Sequence, residues 1–166
     1  MISKKICMLG AFSVGKTSLV SRFVHSVFSD KYLSTVGVKI SKKELDCQGT
    51  PVTLILWDME GKDIYAEINT SYLRGAMGYF LVADGTRAYT LQAAMDILEL
   101  VRKERGDIPF YLLMNKADIR DQWEVTPSML EPIREKDVPI LLTSAKTGDA
   151  VEEAFNLLTR DMLAAP

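Results

Sequence analysis

Residues 10–17 read Gly10-Ala11-Phe12-Ser13-Val14-Gly15-Lys16-Thr17, which fills every fixed position of the spacing G-x-x-x-x-G-K-[ST]. No other feature constrains the chain as strongly, because this spacing works at only one kind of junction. A strand must run in, a tight glycine turn must follow, and a helix must open at the Lys-Thr pair. Backbone N–H groups and the positive helix end then converge on an anion. The flanks match. Lys5-Ile6-Cys7-Met8-Leu9 is an apolar run of the buried-strand kind, and Leu19, Val20, Phe23 and Val24 fall on one helical face. Gly10 and Gly15 let the backbone come close to a phosphate. Lys16 offers a compact charge, and the Thr17 hydroxyl can ligate Mg²⁺. The plainer alternative is a helix entered through a glycine turn with no ligand.

Downstream, apolar runs alternate with helical periods. Val36–Cys47 and Val52–Trp57 read as strands joined by a turn at Gln48-Gly49. Tyr79–Ala83, Phe110–Met114 and Val138–Leu142 are further strands, with Pro139 tolerable at a strand start. One helix carries Leu91, Ala94, Met95, Leu98 and Val101 and stops at Gly106. A last helix carries Val151, Ala154, Phe155 and Leu158, and Asp149 with Glu152 has the spacing of a capping box at its start. A helix over 127–136 is weakened by Pro132 inside it. Continuous apolar strands alternating with helices predict a three-layer α/β domain. Its six-stranded sheet is mostly parallel, with one antiparallel strand at 36–47 and helices on both faces. The chain of 166 residues is one domain's worth. In such a sheet, ligands bind beyond the carboxyl ends of the strands.

The remaining polar motifs lie at those ends. Asp58-Met59-Glu60-Gly61 follows the strand ending at Trp57, Asn115-Lys116-Ala117-Asp118 follows Met114, and Thr143-Ser144-Ala145-Lys146 follows Leu142. Each alone could be an ordinary loop. Their order and placement with the phosphate loop mark a nucleotide site. An acid such as Asp58 can hold Mg²⁺, and Gly61 can bring a backbone N–H against a terminal phosphate.

With these residues in view, the chain resembles the Ras-like small GTPases over nearly its whole length, and within them the Rab group. Tyr32-Leu33-Ser34-Thr35-Val36-Gly37-Val38, Leu56-Trp57-Asp58, Ser71-Tyr72-Leu73-Arg74-Gly75-Ala76 and Thr143-Ser144-Ala145-Lys146 carry that similarity. It implies a three-layer P-loop NTPase fold, a single G domain over residues 1–166 that switches between GTP and GDP with Mg²⁺ and hydrolyses GTP. By the same resemblance, Ala11, Phe12, Ser13, Val14, Gly15, Lys16, Thr17 and Ser18 line the phosphates, and Thr17, Thr35 and Asp58 hold the metal. Asp118 accepts from guanine N1–H and the 2-amino group, which adenine cannot supply. A site built around such a bond discriminates by about 10⁴–10⁵. Asn115 orients the base and ties its loop to the phosphate loop, while Lys116 lays its stem on one base face. Phe28 meets the other side edge-on, Ser144 and Lys146 complete the loop, and Ala145 offers its N–H to guanine O6. Loops near 30–38 and 59–70 order with GTP. Ile40, Trp57 and Tyr72 match a hydrophobic triad that contacts effectors, with Ile40 in place of the usual aromatic.

The resemblance breaks around the third phosphate. Lys62 stands where the family usually has the Gln that positions the attacking water, and an ammonium has no acceptor. Glu60 and Phe12 replace small residues, and the Phe12 ring crowds the space an arginine finger needs. Three readings follow for Lys16, Thr35 and Lys62 as the catalytic set: slow hydrolysis, assistance by Lys62 in place of the finger, or a Lys62 that points to solvent. Two rivals stand beside the switch. One is a nucleotide-bound scaffold without useful turnover. The other is an ATP-dependent small-molecule kinase, which Asn115-Lys116-x-Asp118 argues against.

Composition narrows the partners. Net charge is −2 with no basic stripe, against nucleic acid as the main partner. Expected instead are a guanine nucleotide and protein effectors, an exchange factor and an activating protein at the switch loops. Cys7 and Cys47 lack metal or redox spacing, which suits a reducing, cytoplasmic setting. No cysteine follows Cys47, so a prenylation signal is not expected, nor is a leader peptide or an intrinsic membrane anchor. His25 is expected to face a helix C-terminus rather than do chemistry.

Overall fold

A computed structural model describes residues 2–26, 28, 37–59 and 70–166. Strand β1 (Ile2–Gly10) runs into the glycine turn and helix α1 (Lys16–His25). Strands β2 (Val38–Cys47) and β3 (Thr50–Met59) form a hairpin. After them come β4 (Ala76–Asp84), α2 (Tyr89–Arg105), β5 (Phe110–Asn115), α3 (Pro127–Glu135), β6 (Ile140–Leu142) and α4 (Val151–Ala164). The six strands form one sheet in the order β2-β3-β1-β4-β5-β6. All neighbours run parallel except β2 against β3. The expected architecture, including the single antiparallel strand, is therefore present.

The hairpin is antiparallel because its connection is only Gln48-Gly49. Both take positive φ, 53° and 87°, and the Gly49 N–H donates to Asp46 Oδ1 at 2.8 Å. The parallel strands are apolar on both faces and bury both. Ile6 and Met8 of β1 point into a core shared with Phe23 of α1 and Phe155 of α4. Cys7 and Leu9 point the other way, toward Leu91, Leu98 and Val101 of α2. In the first core the Phe23 and Phe155 rings stack at 3.9 Å, and Phe80 meets Phe155 edge-on at 4.8 Å. Both cysteines are free and buried, as a reducing setting requires of neither but permits of both.

Some expectations change in detail. β6 starts at Ile140, because Val138 precedes it as loop and the Pro139 carbonyl accepts from Leu112 N–H at 2.8 Å. α3 forms despite Pro132, with Pro127 supplying the favoured first position and only Leu130 buried among its residues. The capping box of α4 is absent. Ala150, in the left-handed region, occupies the cap position, and the Asp149 carbonyl instead accepts from Ser144 N–H at 3.1 Å. Glu152 and Glu153 still favour the helix start electrostatically. Among the described residues, no helix is long and apolar enough to cross a membrane.

Register puts the polar strand ends on one edge. Met8 pairs with Asp58, Gly10 with Val82, Asp84 with Asn115, and Met114 with Leu142. The turn after β1, the end of β3 and the loops after β4, β5 and β6 therefore open onto one cleft.

Candidate nucleotide-binding site

The turn between β1 and α1 is tied down through its carbonyls. Lys16 Nζ donates to Gly10 O and Ala11 O, both at 3.0 Å. Asn115 Nδ2 donates to Val14 O at 3.0 Å, and Leu19 N–H takes Gly15 O at 2.8 Å as the helix begins. With the Val14 carbonyl turned to Asn115, the planar peptide turns the next N–H, that of Gly15, the opposite way. Two glycines are required here by contact as well as conformation. A Cβ on Gly10 would lie 2.4 Å from Val82 O, and one on Gly15 would lie 2.2 Å from Asn115 Nδ2. Ala11 and Val14 are buried and Ser13 sits at φ 64°, while the Phe12 ring is 44% exposed. Ser18 is half-buried in the first turn of α1. Burial pushes the Lys16 ammonium down to about 8. Asp58 works against that shift and Arg87 adds to it. Phosphate oxygens are the natural partners for such a desolvated cation.

Thr17 Oγ1 donates to Asp58 Oδ2 at 2.5 Å. The other carboxylate oxygen of Asp58 is buried and has no partner among the described residues. Burial pushes the Asp58 carboxyl up, against the Thr17 bond and the charges of Lys16 and Lys39, which pull it down. A buried acceptor without a donor beside a hydroxyl fits a hard cation with oxygen ligands. Among the described residues no cluster of three His, Cys, Asp or Glu side chains exists. Two protein oxygens, with phosphates and water completing the shell, are what Mg²⁺ usually takes. Thr35, Glu60, Gly61 and Lys62 lie outside the described residues.

The loops after β5 and β6 meet on Asn115, which is buried. Its Oδ1 accepts from Thr143 Oγ1 at 3.2 Å and from Ala145 N–H at 3.3 Å, while its Nδ2 holds the phosphate loop. The tie between loops expected of Asn115 is thus present. In this structure the Ala145 N–H is engaged by the buried Asn115 oxygen. Ser144 Oγ donates to Asp118 Oδ1 at 2.8 Å and accepts from Thr147 N–H at 3.0 Å, which fixes the exposed Asp118 carboxylate. Lys116 is in the left-handed region, its carbonyl held by Trp123 Nε1 at 2.8 Å and its Nζ by Asp84 Oδ2 at 2.6 Å. Lys146 and Phe28 are exposed.

Three residues at this site were missed from sequence. Arg22 of α1 donates through Nε to Ala145 O at 2.8 Å and through Nη2 to Lys146 O, clamping the last loop to the phosphate helix. Asp84, buried at the end of β4, accepts from Lys116, Thr86 and Arg87. Burial alone would raise its carboxyl, but those bonds together outweigh it and hold Asp84 below the usual carboxylate range. A carboxylate closing the apolar run Tyr79–Ala83 was the readable signal for Asp84. Arg87 and Arg22 act on backbone carbonyls and leave no spacing to read.

Beside the cleft, Ile40 of β2 pairs across the hairpin with Trp57 of β3. The Trp57 ring centre lies 6.4 Å from that of Tyr72, and Lys5 Nζ sits 3.6 Å from the Trp57 centroid. The triad is contiguous, with Ile40 51% exposed and both rings half-buried.

Comparison with known proteins agrees with this geometry. The sequence model of the Ras family matches residues 5–164. Ras-related protein Rab-13 of Canis lupus familiaris is 32% identical over 161 residues, which cover 96% of this chain and 79% of that protein. Ras-related protein Rab-10 of Diplobatis ommata is 35% identical over 161 residues, 96% of this chain and 80% of that protein. Human Ras-related protein Rab-8B is 32% identical over 161 residues, 96% and 78% respectively. With strand order, phosphate turn and base loops all in agreement, the chain belongs to the Ras family of small GTPases, on its Rab-like side.

Proposed function

We propose that residues 1–166 act as one G domain that binds GTP and GDP with Mg²⁺ and hydrolyses GTP slowly. The observation that carries this reading is the single buried amide of Asn115, which joins the turn at Val14 to the loops at Thr143 and Ala145. A phosphate cradle and a base pocket held by one side chain suit a ligand that carries both. Asp118, fixed by Ser144, would read the guanine edge. Lys16 would meet the terminal phosphates, and Thr17, Asp58 and Thr35 would hold Mg²⁺, which supplies charge neutralisation when bound. The buried thiols Cys7 and Cys47 suit a cytoplasmic setting.

Slow turnover rests on Lys62, Glu60 and Phe12 at the third-phosphate end. A single turnover of Mg²⁺-GTP, with Lys62→Gln alongside, tests it. The native chain is expected to be slow and the glutamine variant faster by roughly tenfold or more. A brisk native rate that the variant lowers would instead make Lys62 a catalytic group. Competition of bound nucleotide by ATP, which should fail, separates this reading from an ATP-dependent kinase.

Ile40, Trp57 and Tyr72 are proposed as the surface for protein effectors that sense the nucleotide state. Their contiguity and the exposure of Ile40 support this. Trp57→Ala is expected to weaken effector capture by the GTP-loaded protein by about 2 kcal/mol or more while nucleotide binding persists. Intact capture by the folded variant would refute the surface.

A further inference from the structure

Arg87 lies in the loop between β4 and α2, outside every motif of the phosphate and base loops. Its guanidinium nevertheless reaches the phosphate turn. Nη2 donates to Phe12 O at 3.0 Å and to Ser13 O at 2.7 Å. Together with Lys16 on Gly10 O and Ala11 O, this gives each of four consecutive carbonyls a cationic donor. The other guanidinium nitrogens are anchored: Nε donates to Asp84 Oδ2 at 3.0 Å and Nη1 to Tyr89 OH at 2.7 Å. Asp84 Oδ2 also accepts from Lys116 Nζ, so one buried carboxylate lies between the arginine on the phosphate turn and the lysine of the base loop. The backbone of this loop is fixed as well, with Thr90 Oγ1 donating to Arg87 O at 2.7 Å.

We propose that Arg87 is a positioning residue for the phosphate site, and that Asp84 couples it to Lys116 so that the phosphate turn and the base loop move as one body. The proposal rests on the reading of residues 10–17 as the phosphate cradle. The physical argument has two parts. A planar trans peptide sets C=O and the following N–H on opposite sides. Holding the Phe12 and Ser13 carbonyls on the guanidinium therefore turns the N–H groups of Ser13 and Val14 the other way, into the cradle. Bonding to a cation also withdraws the partial negative charge of those two carbonyls from the field a phosphate meets. A planar fork can hold two adjacent carbonyls while bonding Asp84 and Tyr89 at its other nitrogens, and a lysine ammonium cannot match all four directions.

The test uses the GDP-loaded protein with Arg87→Ala and Arg87→Lys. Two readouts are taken: the dissociation rate of a fluorescent GDP, and the ³¹P resonances of bound GDP. Arg87→Ala is expected to speed dissociation by about tenfold or more, the worth of charge-assisted bonds to the turn, and to move the β-phosphate resonance. Arg87→Lys is expected to fall between the two in both readouts, so the proposal stays testable if the alanine variant does not fold. Faster dissociation with the β-phosphate resonance at its native position would mean a merely structural role and overturns the proposal. Native dissociation in either variant overturns it too. A native chain that holds no GDP would refute the proposed function instead, which keeps the two failures apart.

Discussion

On the proposed base side of the cleft, three loops converge on a neutral amide and two hydroxyls, those of Asn115, Thr143 and Ser144. On the phosphate side, two cations, Lys16 and Arg87, take four consecutive backbone carbonyls. The contrast follows from what each half must meet. A planar base with a fixed pattern of donors and acceptors is read by shape and by the unpaired groups a wrong base would leave. A polyanion is met by oriented N–H groups and charge, with little directional pattern to match. Neutral groups therefore sit at the centre of the half that discriminates, with Arg22 and Lys116 bracing it from outside, while cations take the carbonyls of the half that attracts.

The largest break in this contrast comes from Asp118→Ala. Removing the acceptor for the guanine edge is expected to lower GTP affinity by roughly 10⁴ and to abolish preference over ATP, since a required hydrogen bond sets the discrimination. Competitive nucleotide titration measures both. Unchanged preference would move base reading elsewhere. A smaller break comes from Arg22→Ala, which frees the Ala145 and Lys146 carbonyls. GDP dissociation should quicken by roughly tenfold to a hundredfold, and the ³¹P resonances of bound GDP should move less than in Arg87→Ala but measurably, because Asn115 and Asp84 tie the two halves. Unmoved resonances would show that the two halves are separable. The smallest effect is pH dependence from Lys16, whose ammonium burial pushes down to about 8. Phosphates favour its charged form and raise that value on binding, so binding takes up a proton above about pH 8. Affinity should be flat near pH 7 and fall by roughly tenfold toward pH 9. Calorimetry in buffers of differing ionisation enthalpy checks the proton uptake, and an affinity that rises with pH would refute it.

What was legible in the sequence and what was not divide along the same physical line. The shared edge of the phosphate turn, Asn115, Asp118 and Thr143–Lys146 was readable because each motif directly follows an apolar run that marks a strand end. The apolar strands were readable because burial on both faces leaves an unbroken hydrophobic run, as in β4. The reach of Arg22 and Arg87 to distant loops was not readable, because the groups they meet there are carbonyls, which every residue has. The start of α4 misled for a related reason. Asp149 has the spacing of a cap, but its backbone is committed to Ser144, so the loop and not the local helix signal decides the geometry.

The cross-ties also set an order of assembly. The phosphate turn is synthesised before the residues that tie it down: Val14 waits for Asn115, 101 positions later, and Arg22 waits for Ala145 and Lys146, 123 and 124 positions later. Synthesis runs from the amino terminus at about 5–20 residues per second, so several seconds separate the two partners of each bond. A nascent chain interrupted before Asn115 carries a phosphate motif without its tie to the loop after β5, and one interrupted before Ala145 lacks the Arg22 clamp.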